Sequence, residues 1–127
     1  MRLAPNEIVT RVHLPQAAAG WRGSYQKLRV RGSIDYPLAG VAVALKMKSG
    51  RVEDARVAIT ALNPAPLLVK DADAQLIGMA PNEEIAERIG ELAARTAKPL
   101  TTSALTPEYR REMVRVFAKR AVMACVN

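Results

Sequence analysis

Residues 41–61, VAVALKMKSGRVEDARVAITA, decide the fold because apolar and polar residues alternate on both sides of a tight turn. Side chains along a strand point alternately to opposite faces, so this spacing gives each of two strands one apolar face. The dipeptide Ser49-Gly50 between them is typical of a two-residue hairpin turn. The pattern therefore predicts a β-hairpin whose apolar faces are formed by Val41, Val43, Leu45 and Met47, and by Ala55, Val57, Ile59 and Ala61.

Two further strands are predicted before the hairpin. Residues 8–14, IVTRVHL, have the composition of a short strand. Residues 24–30, SYQKLRV, alternate so that Tyr25, Lys27 and Arg29 share one face. A glycine and a proline then interrupt the pattern, which indicates a loop before the hairpin.

Three helices are predicted after the hairpin. The first covers residues 67–77 and ends at Gly78, a common helix-ending residue. The second begins at Asn82, whose side chain can cap the first turn, and the third begins at Thr106 with Pro107 at its first helical position. The core face of the third helix is predicted to consist of Tyr109, Met113, Val116, Phe117 and Ala121.

The order of these elements indicates the fold class. Strands come first and helices follow, which is typical of an α+β domain rather than of alternating strand and helix units. We therefore predict an antiparallel sheet of three to four strands, followed by three helices that pack on one face of the sheet.

Length and composition limit the possible classes of protein. A chain of 127 residues, with 50% hydrophobic and 24% charged residues, fits one compact globular domain. The single cysteine, Cys125, makes no internal disulfide and holds no iron–sulfur cluster or zinc ion by itself, so a buried thiol is expected. No apolar run approaches the roughly 20 residues that span a bilayer, and no secretory leader is visible, so a cytoplasmic location is expected.

No catalytic constellation is visible in the sequence. His13 is the single histidine, and no partner for a catalytic or metal-binding role accompanies it. The serines lack the context of a hydrolase nucleophile, and the seven glycines are scattered rather than gathered into a phosphate-binding loop. We therefore predict no catalytic residue and no metal ligand, and the chain by itself is not expected to be an enzyme.

Residues 25–37, YQKLRVRGSIDYP, carry more polar chemistry than their surroundings. Lys27, Arg29 and Arg31 alternate along one extended segment, and Asp35 lies four residues beyond Arg31. Two interpretations remain open. The segment is either a solvated sheet face with one surface ion pair, worth less than about 1 kcal/mol, or a basic surface for an anionic or electron-rich ligand.

Five short motifs follow one another along the chain: tyrosine–x–lysine at 25–27, arginine–x–x–x–aspartate at 31–35, an alanine-rich strand at 40–44, leucine–x–glycine at 76–78 and glutamate–tyrosine–arginine–arginine at 108–111. The ordered set resembles the C-terminal domain of the FAD-binding medium subunit of molybdenum hydroxylases. This is the family of the carbon monoxide dehydrogenase flavoprotein and of xanthine dehydrogenase. Within that family, the stretch 24–45 resembles the FAD subunit of 4-hydroxybenzoyl-CoA reductase.

The resemblance implies how the chain is organised and what it works with. Residues 1–20 would be a strand and linker from a preceding FAD domain, and residues 21–127 would be the C-terminal domain. The full subunit would bind FAD, and the molybdopterin and iron–sulfur clusters would lie on other domains or subunits, which are the implied partners in electron transfer. Lys27 would approach the flavin, while Arg31 and Asp35 would shape the side of the cleft behind it.

A small nucleic-acid-binding module is the alternative. The formal net charge of +7 supports it, as does a stripe of Arg111, Arg115 and Lys119 on the last helix. Against it, the sequence shows no helix-turn-helix, no zinc finger and no aromatic stacking platform. The flavoprotein interpretation is therefore preferred.

The chain alone is predicted to retain no stoichiometric FAD. Holding the pyrophosphate takes backbone donors at a helix N-terminus or a glycine-rich turn, and one side of a cleft buries too little of the ligand. The purified 127-residue chain should be folded and colourless, with no saturable binding when FAD is added. A yellow preparation with nearly one flavin per chain would contradict this expectation.

Overall fold

The chain folds into an antiparallel sheet followed by helices. The computed structural model describes residues 3–16, 19–32, 35–101 and 104–126. The elements, in chain order, are β1 (Trp21–Leu28), β2 (Ala39–Lys48), β3 (Arg51–Thr60), β4 (Leu67–Leu68), α1 (Ala72–Leu76), α2 (Glu83–Thr96) and α3 (Pro107–Ala124). The strands lie in the order β1-β2-β3-β4, and each neighbouring pair is antiparallel. This architecture confirms the predicted α+β class.

The hairpin of β2 and β3 forms as predicted. Its strands pair along their whole length, with one register shift between Lys46 and Met47. At the turn, Ser49 and Gly50 have φ angles of 50° and 75°, and two positive φ angles match the right-handed twist of a hairpin. Ala61, predicted to continue the apolar face, instead leaves the strand with a φ of 65°. The buried face consists of Val41, Val43, Leu45, Val52, Ala55, Val57 and Ile59.

Helices cover this buried face of the sheet. α3 packs across β1 and β2, α1 packs on β3, and α2 packs along α3. At the end of α3, Cys125 is 1% exposed, and its Sγ lies 3.7 Å from the carbonyl oxygen of Val43. The low exposure confirms the expected buried cysteine, and burial raises the pKa of its thiol. The largest side chains of the core include Leu45, Ile59, Leu62, Leu76 and Ile89, and burying each contributes roughly 1.5–3 kcal/mol.

Both long helices begin at the predicted caps. The side-chain oxygen of Asn82 accepts a hydrogen bond from the N–H of Ile85 at 2.9 Å, and Thr106 Oγ1 accepts one from the N–H of Tyr109 at 3.2 Å. Pro107 occupies the first turn of α3. These caps satisfy backbone donors that have no partner within the helix. The predicted starts of the second and third helices are therefore confirmed.

α2 and α3 approach each other closely at Gly90. A Cβ atom added there would lie 2.6 Å from the carbonyl oxygen of Arg115, so a larger side chain does not fit. Ion pairs join the same two helices: Lys119 Nζ lies 2.7 Å from a carboxylate oxygen of Glu83 and 3.2 Å from one of Glu87. The small residue and the charge pairs together fix α2 beside α3.

The predicted start of the first helix, which was expected to cover residues 67–77, is wrong. Two of these residues form β4 along the edge of β3, and the N–H of Val69 donates to the carbonyl oxygen of Val57 at 2.8 Å. The edge of β3 offers unpaired backbone groups, and pairing with them outweighs the weak helical tendency of a short segment. Asp71 has a left-handed φ of 64°, so α1 begins only after it, and Gly78 follows the helix end with a φ of 81°.

The buried face of α3 is rotated from the predicted one. Phe117 and Ala121 are buried as predicted, but Tyr109 is 47% exposed, and Met113 and Val116 are only partly buried. The rotation arises because an arginine occupies the interior side of the first turn, which a pattern of apolar residues does not reveal. The observed buried residues are Arg110, Val114, Phe117, Ala118, Ala121 and Val122.

Residues 3–16 form no strand, so the predicted strand at residues 8–14 is wrong. Ile8 is 82% exposed and Leu14 is 78% exposed, and His13 is exposed as well. A strand needs a neighbour for its backbone groups, and no strand in the described part of the chain pairs with this segment. The assignment of residues 1–20 to a preceding domain stays a prediction.

Replacing Gly90 with alanine tests the close packing of α2 on α3. Helix propensity alone would raise the free energy of unfolding by roughly 1 kcal/mol, whereas overpacking a tight interface costs about 1–3 kcal/mol. We expect the clash with the Arg115 backbone to dominate, so urea titration should show a less stable protein. Gly23→Ala is the control, because its added Cβ would lie 3.8 Å from the nearest atom. A Gly90→Ala protein as stable as the original would contradict the packing described.

Candidate functional site

The loop between β1 and β2, residues 29–38, brings two of the predicted site residues together. Lys27 Nζ donates a hydrogen bond to the backbone carbonyl oxygen of Asp35 at 2.5 Å. The base of the loop is closed by the N–H of Leu38, which donates to the carbonyl oxygen of Leu28 at 2.8 Å. Residues 33–34, in the middle of the arginine–x–x–x–aspartate motif, lie outside the described residues. The end of β1 is thereby tied to the end of the loop.

The carboxylate of Asp35 organises the start of the same loop. Its Oδ2 accepts hydrogen bonds from the N–H of Arg31 at 3.0 Å and from the N–H of Val30 at 3.1 Å. Its Oδ1 lies 3.7 Å from the Arg31 guanidinium, so the predicted ion pair forms, although the Arg31 side chain is 70% exposed. The 29–38 loop is therefore held by backbone hydrogen bonds more than by this surface ion pair.

These contacts make the loop sensitive to pH. The hydrogen bond from the Arg31 N–H, more than any other contact, holds the pKa of the Asp35 carboxyl below its ordinary value of 3.8. A carboxyl whose pKa is lower in the folded state stabilises that state above the ordinary pKa. The stabilisation is lost as the pH falls through the lowered pKa, so the loop should loosen only in acid.

Lys27 lies on the face of the sheet opposite the buried one, which we call the open face. Cross-strand pairing sets Tyr25 beside Ala42, and Lys27 beside Gly40. The alternation of strand side chains defines the members of the open face. They are Trp21, Gly23, Tyr25 and Lys27 on β1, Gly40, Ala42, Ala44 and Lys46 on β2, and Asp54, Arg56, Ala58 and Thr60 on β3.

Small residues keep the centre of the open face flat. A Cβ atom added at Gly40 would lie 2.7 Å from Tyr25 Oη and 2.5 Å from Thr60 Cγ2. The Tyr25 side chain therefore lies across the glycine, next to Lys27, and it remains 53% exposed. The open face thus has small residues at its centre and an aromatic ring and a cation at one end.

The cations of the open face differ in how they are held. Lys46 Nζ lies 2.9 Å from a carboxylate oxygen of Glu53, and this hydrogen bond raises the pKa of Lys46. The Arg56 guanidinium lies 5.2 Å from the centre of the Trp21 ring. Lys27 is held by a neutral carbonyl, and no carboxylate of the described residues forms an ion pair with it. Its charge is thus positioned without being neutralised by direct pairing.

A buried arginine from the motif at residues 108–111, to which the sequence analysis gave no structural role, supports this end of the sheet. Arg110, 3% exposed, donates from Nε to the carbonyl oxygen of Leu38 at 2.8 Å and from one terminal nitrogen to that of Ala61 at 2.8 Å. Its other terminal nitrogen donates to the carbonyl oxygen of Leu100 at 3.1 Å. Burial lowers the pKa of Arg110, although an arginine remains protonated in a protein. A charged residue in register with the apolar positions 114, 117 and 121 was the available signal.

The basic stripe on α3 is paired rather than open. Arg115 forms ion pairs with Glu87 and Glu112, and Glu112 raises the pKa of this guanidinium. Lys119 bonds to two carboxylates of α2, and Arg111 Nε donates to the carbonyl oxygen of Ala97 at 3.3 Å. The basic side chains that suggested a nucleic-acid interface are thus already bonded to partners within the chain. The nucleic-acid alternative is therefore not favoured.

Other parts of the described chain offer no comparable site. Among the residues that the structure describes, no group of three or more histidine, cysteine or acidic side chains could hold a metal ion. A groove of about 510 Å³ lies where β3 meets β4 and the start of α1, between Asp54 and Asp73, and Lys27 and Asp35 do not line it. None of the described helices is long and apolar enough to cross a membrane.

Comparison with known proteins agrees with the resemblance in the motifs. The nicotine 6-hydroxylase medium subunit of Paenarthrobacter nicotinovorans is 32% identical over 121 residues, which cover 95% of this chain and 42% of that protein. The glyceraldehyde dehydrogenase medium chain of Sulfolobus acidocaldarius is 30% identical over 115 residues, which cover 91% of this chain and 40% of that protein. The chain thus spans 40–42% of the length of these relatives.

Solved structures share the fold, and a family model covers almost all of the domain. A chain of carbon monoxide dehydrogenase from Hydrogenophaga pseudoflava gives a TM-score of 0.78 at 30% identity, and the match covers 85% of this chain and 37% of that one. The model of the CO dehydrogenase flavoprotein C-terminal domain matches residues 23–125. The chain belongs to the CO dehydrogenase flavoprotein C-terminal domain family.

Proposed function

We propose that this domain forms one side of the FAD site in the flavoprotein subunit of a molybdenum-containing hydroxylase or dehydrogenase, with Lys27 facing the flavin. The observation that carries the proposal is the position of Lys27. Its ammonium group is fixed by the Asp35 carbonyl at 2.5 Å, on a face of the sheet that the helices leave uncovered. Family membership supports the assignment of the domain to a flavoprotein subunit.

The chemistry of the open face fits a flat, electron-accepting ring system. The alanines at positions 42 and 44 add little height to the sheet, and Tyr25, which lies across Gly40, adds an aromatic ring. Bound FAD supplies electron transfer, and the protein positions and tunes it. Lys27 favours negative charge on the ligand, and Asp35 keeps Lys27 in place through its backbone carbonyl. Arg31 contributes at the rim of the cleft through its contacts with Asp35.

The proposal also extends to domains and subunits beyond this chain, since the chain spans only part of the length of its relatives. The pyrophosphate of FAD would be held by a preceding FAD-binding domain. Molybdopterin and iron–sulfur clusters would lie on partner subunits, in a cytoplasmic complex. Within the complete subunit, the domain would position the flavin and complete a subunit interface, and the isolated domain is not catalytic by itself.

The substrate of such an enzyme is a separate question. The names of the matched medium chains refer to carbon monoxide, glyceraldehyde and nicotine, so members of the family serve different reactions. The similarity of residues 24–45 to the FAD subunit of 4-hydroxybenzoyl-CoA reductase makes that enzyme our candidate. A complex containing this chain should then be assayed with an aromatic acyl-CoA substrate.

Replacing Lys27 with alanine in the complete subunit tests its proposed role. A cation about 4 Å from the ring contributes roughly 1 kcal/mol in water to added negative charge, which corresponds to a midpoint potential lower by about 20 mV in the variant. Spectroelectrochemistry and flavin-to-protein ratios measure the effect. Lys46→Ala is the matched control, because Lys46 shares the open face but pairs with Glu53. An unchanged potential and flavin content in Lys27→Ala would show that the assigned role is wrong.

A further inference from the structure

Arg110 links three separate parts of the chain. It lies in the first turn of α3, and its guanidinium donates to carbonyl oxygens that precede β2, follow β3 and lie between α2 and α3. The acceptors are Leu38, Ala61 and Leu100, at 2.8, 2.8 and 3.1 Å. One guanidinium thus joins all three segments, and its directional hydrogen bonds restrict how they lie relative to one another.

Two of these contacts bracket the end of the sheet where Lys27 lies. Leu38 stands two residues before Gly40, and Ala61 follows Thr60, which pairs with Gly40 across the hairpin. Ala61 has a φ of 65°, a left-handed conformation that costs roughly 1–2 kcal/mol for a residue other than glycine. The hydrogen bond from Arg110 helps to hold this conformation, so the strand ends beside Lys27 depend on the same guanidinium.

The path from Arg110 to Lys27 is short. The N–H of Leu38 donates to Leu28 and its carbonyl accepts from Arg110, so both backbone groups of this residue are fixed. Asp35 lies three residues earlier, and its carbonyl is the acceptor of Lys27. Displacing Leu38 would therefore displace the carbonyl that holds the Lys27 ammonium.

We infer that Arg110 is the positioning residue for the two ends of the 29–38 loop. From the helix layer, it sets the position of the Asp35 carbonyl and, through that carbonyl, the position of the Lys27 ammonium group on the open face. The consequence for the flavin rests on the proposed function, but the positioning itself does not. The geometry calls for arginine, because a planar guanidinium has five donors in fixed directions, whereas a lysine ammonium is a compact group on a flexible stem. Lysine at this position would keep the charge and lose the three-way contact.

The test compares Arg110→Lys with Arg111→Lys by NMR of the 127-residue chain. Arg111 is the matched control, since it is the next residue and is exposed, with a single bond to Ala97. In Arg110→Lys, the amides of Val30 and Arg31 should exchange about tenfold faster or more, while the amides of α2 stay as in the original protein. The pKa of the Asp35 carboxyl should rise toward its ordinary value of 3.8, because its backbone donors are displaced.

Two results would overturn the inference. One is a folded Arg110→Lys protein whose loop amides and Asp35 titration match the original. The other is an equal acceleration of exchange in the loop and in α2, which would show that Arg110 only stabilises the whole domain. Neither result involves flavin, so each is distinguishable from a failure of the Lys27 test.

The original protein supplies a second test in case Arg110→Lys does not fold. The Nε–H of Arg110 should exchange slowly and show a scalar coupling through the hydrogen bond to the carbonyl carbon of Leu38. Both signals follow from a buried donor 2.8 Å from its acceptor. A rapidly exchanging Nε–H without that coupling would overturn the inference independently of any variant.

Discussion

Burial of a single apolar face of the β2–β3 hairpin is the constraint on which the rest of the structure depends. The side chains on that face need a cover, and α1, α2 and α3 supply it from one side. A helix layer on one side leaves the other face of the sheet to residues such as Ala42, Ala44 and Tyr25. The same constraint that forms the core therefore also creates the open face on which the function is proposed.

The buried and open faces are connected at one end of the sheet. Arg110 belongs to the helix layer, yet its hydrogen bonds end on the loop and strand that surround Lys27. A guanidinium among backbone carbonyls is costly to bury unless its donors are used, and here at least three of them are. Because Arg110 makes these contacts from the helix layer, the arrangement of Lys27 and Asp35 depends on that layer and not on the loop alone.

Local patterns in the sequence predicted the elements that are stabilised locally. The hairpin follows from its period of two, and the starts of α2 and α3 follow from Asn82 and Thr106, whose side chains cap neighbouring N–H groups. β4 was missed because it exists only through pairing with the edge of β3. The segment at residues 8–14 has the composition of a strand but no neighbour among the described residues to pair with.

The sequence suggested the residues of the candidate site, whose role stays a prediction, but it did not show which contacts hold them in place. Spacing grouped Lys27 with Arg29 and Arg31 and paired Asp35 with Arg31, and the motif resemblance implied the roles of Lys27, Arg31 and Asp35. The bond that joins them uses the backbone carbonyl of Asp35, which no side-chain pattern reveals. The burial of Arg110 was not predicted, because a charged residue on the core side of a helix interrupts the apolar periodicity. The same interruption shifted the predicted core face of α3.

The most direct test of this account is a structure of the complete subunit with FAD bound. The quantity to measure is the distance from Lys27 Nζ to the nearest atom of the flavin ring. The account predicts about 4 Å or less, with the ring against the open face of the sheet, because a cation acts on the ring only at short range. A flavin ring more than about 10 Å away, beyond the range of an unscreened charge at physiological salt, would contradict it.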